Sequence, residues 1–165
     1  MKCDRNSRCN PSRNELTKTG LLGEKLVAQW LSADGWEILH RRWRCRWGEI
    51  DIIARSLATA ARSSQLAFVE VKTRSRGNWD ANGLLSVTLQ KRTKLWRTAE
   101  VFLGTYPELA DLPCRFDVAL VRCDRLNCPG TRTSERECDE IRLGSSVYWS
   151  GFQLTLLDYI VDILN

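Results

Sequence analysis

The sequence predicts an α/β fold in which a mixed central β-sheet is flanked by helices. Three observations predict it. Two short runs rich in Ile, Val and Phe, Gly48 to Ala54 and Leu66 to Lys72, read as strands. Stretches with helical periodicity, Gly20 to Ala33 and Ser86 to about Leu103, precede and follow that pair. A further apolar run, Arg115 to Val121, comes after the second helix, and a helix between two strands lets them lie parallel.

Residues 1–16 are polar and charged and are expected to form a disordered tail, which leaves residues 17–165 as a single domain. In the first helix Val27, Ala28 and Leu31 follow Glu24 at helical spacing, so Glu24 lies on the apolar stripe. Asp34-Gly35 stops that helix. Trp36 to Arg42 is a first strand, and with the two charged strands it forms an antiparallel meander through short connections. Arg55 to Gln65, rich in Ala and Ser, is a hairpin loop, and Gly77 to Gly83 is another loop. Ser86 caps the second helix, whose stripe is Leu95, Ala99, Phe102 and Leu103, with Lys91 one turn ahead on the same side. Pro107 and Pro113 bracket a turn, and the strand at 115–121 follows. A polar loop occupies the region 123–138, and a short strand is expected at Glu140 to Leu143. Phe152 to Leu164 reads as an amphipathic helix with Leu156, Ile160 and Ile163 on one side. That helix either covers the sheet or supplies a surface for a homodimer.

Lys+Arg number 25 and Asp+Glu 20, a net charge of +5, which is too mild to establish a nucleic-acid partner by itself. The placement of the charge is more specific. Arg41, Arg42, Arg44 and Arg46 precede the first charged strand, and Lys72, Arg74 and Arg76 end or follow the second. Lys91, Arg92, Lys94 and Arg97 come soon after. Such a distribution suits a phosphate-binding rim, or a set of solvated basic surfaces. The 7 cysteines are odd in number and irregular in spacing, which argues against a secreted disulfide framework. They include no C-x-x-C pair, and His40 is the only histidine, so structural zinc is weakly supported. The N-terminus has no signal-peptide h-region and no apolar run approaches the ~20 residues of a membrane span, so a cytoplasmic location away from membranes is expected.

The charges inside the two strands carry the chemistry. Strand side chains alternate, so Glu70 and Lys72 share one face while Val69 and Val71 point to the other. If the two strands pair, Asp51 meets Glu70 at one end of the sheet with Lys72 beside them. Burying two carboxylates and an ammonium is costly unless they serve one another or a metal ion. A buried ion pair without catalysis is one reading. The other is a site for Mg²⁺ or Mn²⁺, which take hard oxygen ligands and activate water against a phosphodiester. Lys72 would then orient the attacking water or offset the charge that develops on phosphorus. Glu24 is either a first-turn acid favoured by the helix dipole or an inward-facing addition to that site. Trp43, Trp47 and Trp79 are candidates to stack on exposed bases, or core and rim residues.

Gly23-Glu24 with Ala28, Arg44 with Gly48-Glu49-Ile50-Asp51-Ile52-Ile53-Ala54, Phe68-Val69-Glu70-Val71-Lys72-Thr73-Arg74, Lys91, and Arg115-Phe116-Asp117-Val118 resemble the YraN-type family. That family consists of predicted bacterial endonucleases distantly similar to archaeal Holliday-junction resolvases. The likeness runs in order from about Thr19 to Val121. It implies a restriction-endonuclease-like core with a PD-(D/E)-x-K site, in which Asp51, Glu70 and Lys72 are the catalytic triad. It also implies that Glu24 completes the metal site of Asp51 and Glu70. Two departures stand out: the longer polar loops at 55–65 and 123–138, and Gly77-Asn78-Trp79 and Asn82-Gly83 in place of an aromatic-Gly pair. The expectation is a Mg²⁺- or Mn²⁺-dependent endonuclease acting on DNA, including branched or non-B-form DNA. Arg44, Arg74, Lys91 and Lys94 would hold its phosphates. The alternative is a nucleic-acid-binding module on a nuclease fold without turnover.

Overall fold

The computed structural model describes residues 13–59, 63–75, 89–126 and 140–164. Its elements are α1 (Arg13–Ala33), β1 (Trp36–Cys45), β2 (Gly48–Ser56), β3 (Gln65–Arg74), α2 (Leu89–Thr105), β4 (Cys114–Arg125), β5 (Ser146–Trp149) and β6 (Phe152–Ile160), with one 3₁₀ turn at Pro107–Leu109. The strands form one six-stranded sheet in the order β1-β2-β3-β4-β6-β5. Among the described strands only β3 and β4 run parallel; the other neighbouring pairs are antiparallel. This is the expected mixed α/β sheet.

Each face of the sheet has its own core. On one side Leu26, Val27 and Leu31 of α1 pack on Ile52, Ala54, Ala67, Val69, Ala119, Val121, Leu154 and Leu156. On the other, Leu95, Ala99 and Phe102 of α2 pack on Ile50, Ile53, Leu66, Phe68 and Phe116. Alternation along β3 sends successive side chains to opposite helices, which is why both faces of this strand are apolar. Phe102 lies edge-on to Phe68 and Trp43, and Phe68 stacks on Phe116. Trp43 is partly buried and packs against this core. Trp79, Ser86, the 77–83 loop and residues 127–138 of the polar loop lie outside the described residues.

α1 begins at Arg13, so its first turn extends into the stretch read as a tail. It ends where Gly35, at φ 83, adopts the left-handed conformation that closes helices at low cost. Gly23 sets the approach of α1 to the sheet: a Cβ there would lie 2.0 Å from Thr73 Oγ1.

The C-terminal region corrects the sequence reading. Phe152 to Leu164 is not a helix; β5 and β6 form a hairpin there. Residues 140–142 are irregular, and the short strand begins later, at Ser146. The turn residues Ser150 and Gly151 have φ of 50 and 82, the two positive values that a tight two-residue hairpin requires. Leu154 and Leu156 then point into the core beneath α1. Thr155, which a helix would place in solvent, is buried and lies 2.8 Å from Ser146 Oγ. β6 thus completes the sheet beside β4, the place the expected helix would have covered.

Candidate functional site

The site forms where β2 peels away from β3. Their pairing ends at Ile52↔Val69. Beyond it, Val71 donates its backbone N–H to Asp51 Oδ2 at 2.7 Å, so a side chain takes the place of the next ladder bond. The face alternation of β2 also breaks here: Ile50 joins the α2-side core and Ile52 the α1-side core. On the opposite flank Arg42 falls between the pairs Arg41↔Ile52 and Trp43↔Ile50, hence across from Asp51, and has φ 54. Both strands next to Asp51 are therefore irregular at the same level.

The gap opened by this divergence is a cavity of about 280 Å³ between β2, β3 and α2. Asp51, Glu70, Glu49, Lys91, Lys94 and Trp47 are among its lining residues. The two central carboxylates of the sequence reading thus meet. Burial, then the charge of Glu70, pushes the Asp51 carboxyl from 3.8 up to about 7; the Val71 N–H opposes this in part. Lys91 Nζ donates to Glu70 Oε1. Lys72 shares the Glu70 face of β3 but does not line the cavity. Burial, then the nearby Lys91 ammonium, lowers its affinity for a proton.

Glu24 sits apart from the cavity wall, on α1, and is 8% exposed. Its Oε2 has no hydrogen-bond partner among the described residues. The nearest cation is Arg42, whose Nε is 3.8 Å from Glu24 Oε2 and 3.0 Å from Glu49 Oε1. Burial raises the Glu24 carboxyl above its usual range, and Arg42 is the largest influence in the other direction. The charge of Glu24 still reaches Asp51. Among the described residues no three His, Cys, Asp or Glu side chains are gathered closely enough to cage a metal ion. The donor set nevertheless suits a hard divalent cation: carboxylates at one cavity, the proton affinity of Asp51 raised by burial and then by Glu70, and a buried Glu24 oxygen without a partner among the described residues.

The basic residues divide. Lys94 lines the cavity. Arg44 is paired with Glu49 at 2.9 Å, and Arg74 is exposed and donates to the Thr73 carbonyl at 3.0 Å. The sequence reading placed Arg42 within a phosphate-binding run and missed its link between Glu24 and Glu49, because that link depends on a positive φ no residue pattern announces. It counted Trp47 as a possible stacking surface. The indole lies at the cavity wall with the guanidinium of Arg97 at 4.6 Å and that of Arg46 at 4.9 Å, so α2 and the β1–β2 turn are joined there. The described cysteines, Cys45, Cys114 and Cys123, are free thiols. No described helix is long and apolar enough to cross a membrane.

Asp117, in the Arg-Phe-Asp-Val segment, serves another purpose. It is 1% exposed and accepts from Arg115 Nε at 3.0 Å, Tyr159 Oη at 2.7 Å and the Asp162 backbone N–H at 2.9 Å. It ties the end of β6 to β4 and does not line the cavity.

The segment from Gly23 to Val121, which carries Glu24, Asp51, Glu70, Lys72 and Lys91, is also the segment with a family match. The family model described as "Uncharacterised protein family UPF0102" covers residues 23–121. A UPF0102 protein of Trichodesmium erythraeum (strain IMS101) is 54% identical over 156 residues, 87% of this chain and 87% of the relative. One of Acaryochloris marina (strain MBIC 11017) is 49% identical over 156 residues, 90% of each chain. One of Synechocystis sp. (strain ATCC 27184 / PCC 6803 / Kazusa) is 42% identical over 151 residues, 89% of this chain and 97% of the relative. The chain belongs to the uncharacterised protein family UPF0102.

Proposed function

We propose that this protein is a divalent-metal-dependent endonuclease that hydrolyses phosphodiester bonds in DNA, branched or non-B-form DNA included. The observation that carries the reading is the convergence of Asp51 and Glu70 on one cavity at the divergence of β2 and β3. The resemblance to resolvase-like nucleases supports it. Asp51 and Glu70 would hold Mg²⁺ or Mn²⁺, with Glu24 assisting from α1. The bound ion would supply a water of lowered pKa and offset charge on the scissile phosphate. Lys72, beside the cavity on the Glu70 face of β3, would help orient that water and offset negative charge as its oxygen bonds to phosphorus and the ester P–O bond breaks; the water's proton would pass to solvent and the leaving oxygen would take one up from solvent. Lys91, Lys94, Arg44 and Arg74 contact neighbouring phosphates. A two-fold-symmetric junction would suit a homodimer, and a cytoplasmic site of action is part of the same reading.

The test is incubation of the full chain with branched, single-stranded and duplex DNA in Mg²⁺ or Mn²⁺. Cleavage is expected with the parent and lost in Asp51→Ala, Glu70→Ala and Lys72→Ala. Cleavage that persists in those variants, or no cleavage of any substrate, overturns it. One observation favours a second reading, a DNA-binding module without turnover: Glu70 already has a cationic partner in Lys91. Salt-dependent DNA binding that is unchanged in EDTA, with no products, would favour that module.

A further inference from the structure

The Lys91–Glu70 pair sets two demands on one carboxylate. Lys91 Nζ donates to Glu70 Oε1, and both residues line the cavity that also holds Asp51. A hard cation bound by Asp51 and Glu70 would compete with the ammonium for the charge of the Glu70 carboxylate. It would also be repelled by that ammonium, an effect softened by solvent because the Lys91 side chain is partly exposed. Lys91 has room to move, because its side chain, which lines the cavity, is 40% exposed. It cannot go far, because α2 is fixed one turn later by Leu95, then by Ala99 and Phe102, in the core.

The geometry points to Lys91 as an exchange residue: it neutralises Glu70 in the metal-free protein, yields Glu70 to the arriving divalent cation, and then binds a phosphate of the nucleic acid. The inference rests on the metal-site reading above. It makes metal binding and phosphate binding mutually reinforcing, since each removes a competitor of the other, and such coupling is reciprocal. It also explains why Lys91 can be both an ion-pair partner and a nucleic-acid contact. Lys94 lines the same cavity and is the natural control.

The experiment is Mn²⁺ titration of the full-length parent, Lys91→Met and Lys94→Met, with free Mn²⁺ followed by electron paramagnetic resonance. Methionine keeps the length and helix propensity of lysine. Lys91→Met should bind Mn²⁺ about fivefold more tightly than the parent, the value of one partly exposed ion pair. Lys94→Met should change much less. Equal or weaker binding by Lys91→Met, or equal tightening in both variants, overturns the exchange while leaving the metal site standing. Absence of Mn²⁺ binding in all three proteins removes the metal site and the exchange together. A second measurement uses duplex-DNA affinity against salt. In Ca²⁺ the parent's slope should exceed that of Lys91→Met by about 0.9, one phosphate contact, and the two should agree in EDTA. The same difference in both conditions overturns the exchange.

Discussion

Val71 and Asp51 are joined by a 2.7 Å hydrogen bond from backbone N–H to carboxylate, at the point where two sheet strands part. The bond holds a carboxyl whose proton affinity is already raised, to about 7, chiefly by burial and then by Glu70. A carboxyl with a native pKa above its unfolded value favours the native state at low pH. That advantage is lost as pH rises from the unfolded value through the native one. The window here runs from 3.8 to about 7. Asp51→Asn, which keeps an acceptor for Val71, should therefore be more stable than the parent at pH 8 in EDTA, by at most about 4 kcal/mol. The difference should fade toward pH 3.5, roughly the bottom of that window. Urea unfolding at the two pH values checks it; a variant less stable than the parent at pH 8 would refute the electrostatic account.

Asp117 predicts a structural phenotype without a local effect on the cavity. Removing it leaves the partly buried Arg115, over the Trp36 ring, without this carboxylate partner, and frees the Tyr159 hydroxyl and the Asp162 N–H. Asp117→Ala should cost about 3–5 kcal/mol, the usual loss when one partner of a buried pair is deleted. Tyr159→Phe removes one bond of the same cluster and should cost about 1–2 kcal/mol. Burial and the Asp117 carboxylate hold the Tyr159 phenol well above its ordinary range, so it should show no ionisation at pH 10 by ultraviolet absorbance, about the unperturbed value. Hydrogen exchange at Ile163, whose N–H donates to the Phe116 carbonyl, should accelerate in Asp117→Ala.

These two carboxylates show what could be read from residues alone and what could not. The meander of β1 to β3 and the parallel return of β4 were legible because β2, β3 and β4 carry apolar runs, short connections join β1 to β2 and β2 to β3, and a helix separates β3 from β4. The meeting of Asp51 and Glu70 followed from that pairing. The hairpin of β5 and β6 was obscured because Leu156 and Ile160 fit a helical stripe as well as a strand; Ser150-Gly151 between aromatic-rich flanks was the discriminating feature. Arg42 and Lys91 were read as phosphate contacts, since sequence shows charge but not which partner a side chain reaches. Their pairing with Glu49 and Glu70 arises from a left-handed residue and from the depth at which α2 seats.

Gly23 and Thr73 couple the helix carrying Glu24 to the strand carrying Glu70. A methyl group at Gly23 would lie 2.0 Å from Thr73 Oγ1, 3.2 Å from its Cβ and 3.4 Å from its Cγ2, so rotating the threonine does not clear the space. Gly23→Ala should destabilise by about 1–3 kcal/mol, as overpacking does. Thr73 Oγ1 is buried without a hydrogen-bond partner among the described residues. Thr73→Ala should then be nearly neutral alone, and should restore part of the loss in the double variant. Equilibrium unfolding of the four proteins tests the coupling, and strict additivity would exclude it.

Arg42 combines an unfavourable backbone with a favourable side chain, and the two can be separated. At φ 54 a residue with a Cβ carries strain of about 1–2 kcal/mol that glycine does not. Glycine elsewhere in a strand is destabilising. Arg42→Ala and Arg42→Gly both delete the guanidinium that bridges Glu24 and Glu49. The glycine variant should nonetheless be the more stable of the two, by about 1 kcal/mol, a reversal of the usual order. The side-chain effect appears in Glu24: Arg42 is the strongest influence lowering its proton affinity, against a larger burial effect. Carbon-13 titration of the Glu24 carboxyl should show its midpoint rising in both variants to the same extent, because the charge lost is the same. A midpoint that rises only in the alanine variant would mean that backbone geometry, not the guanidinium, sets the state of Glu24.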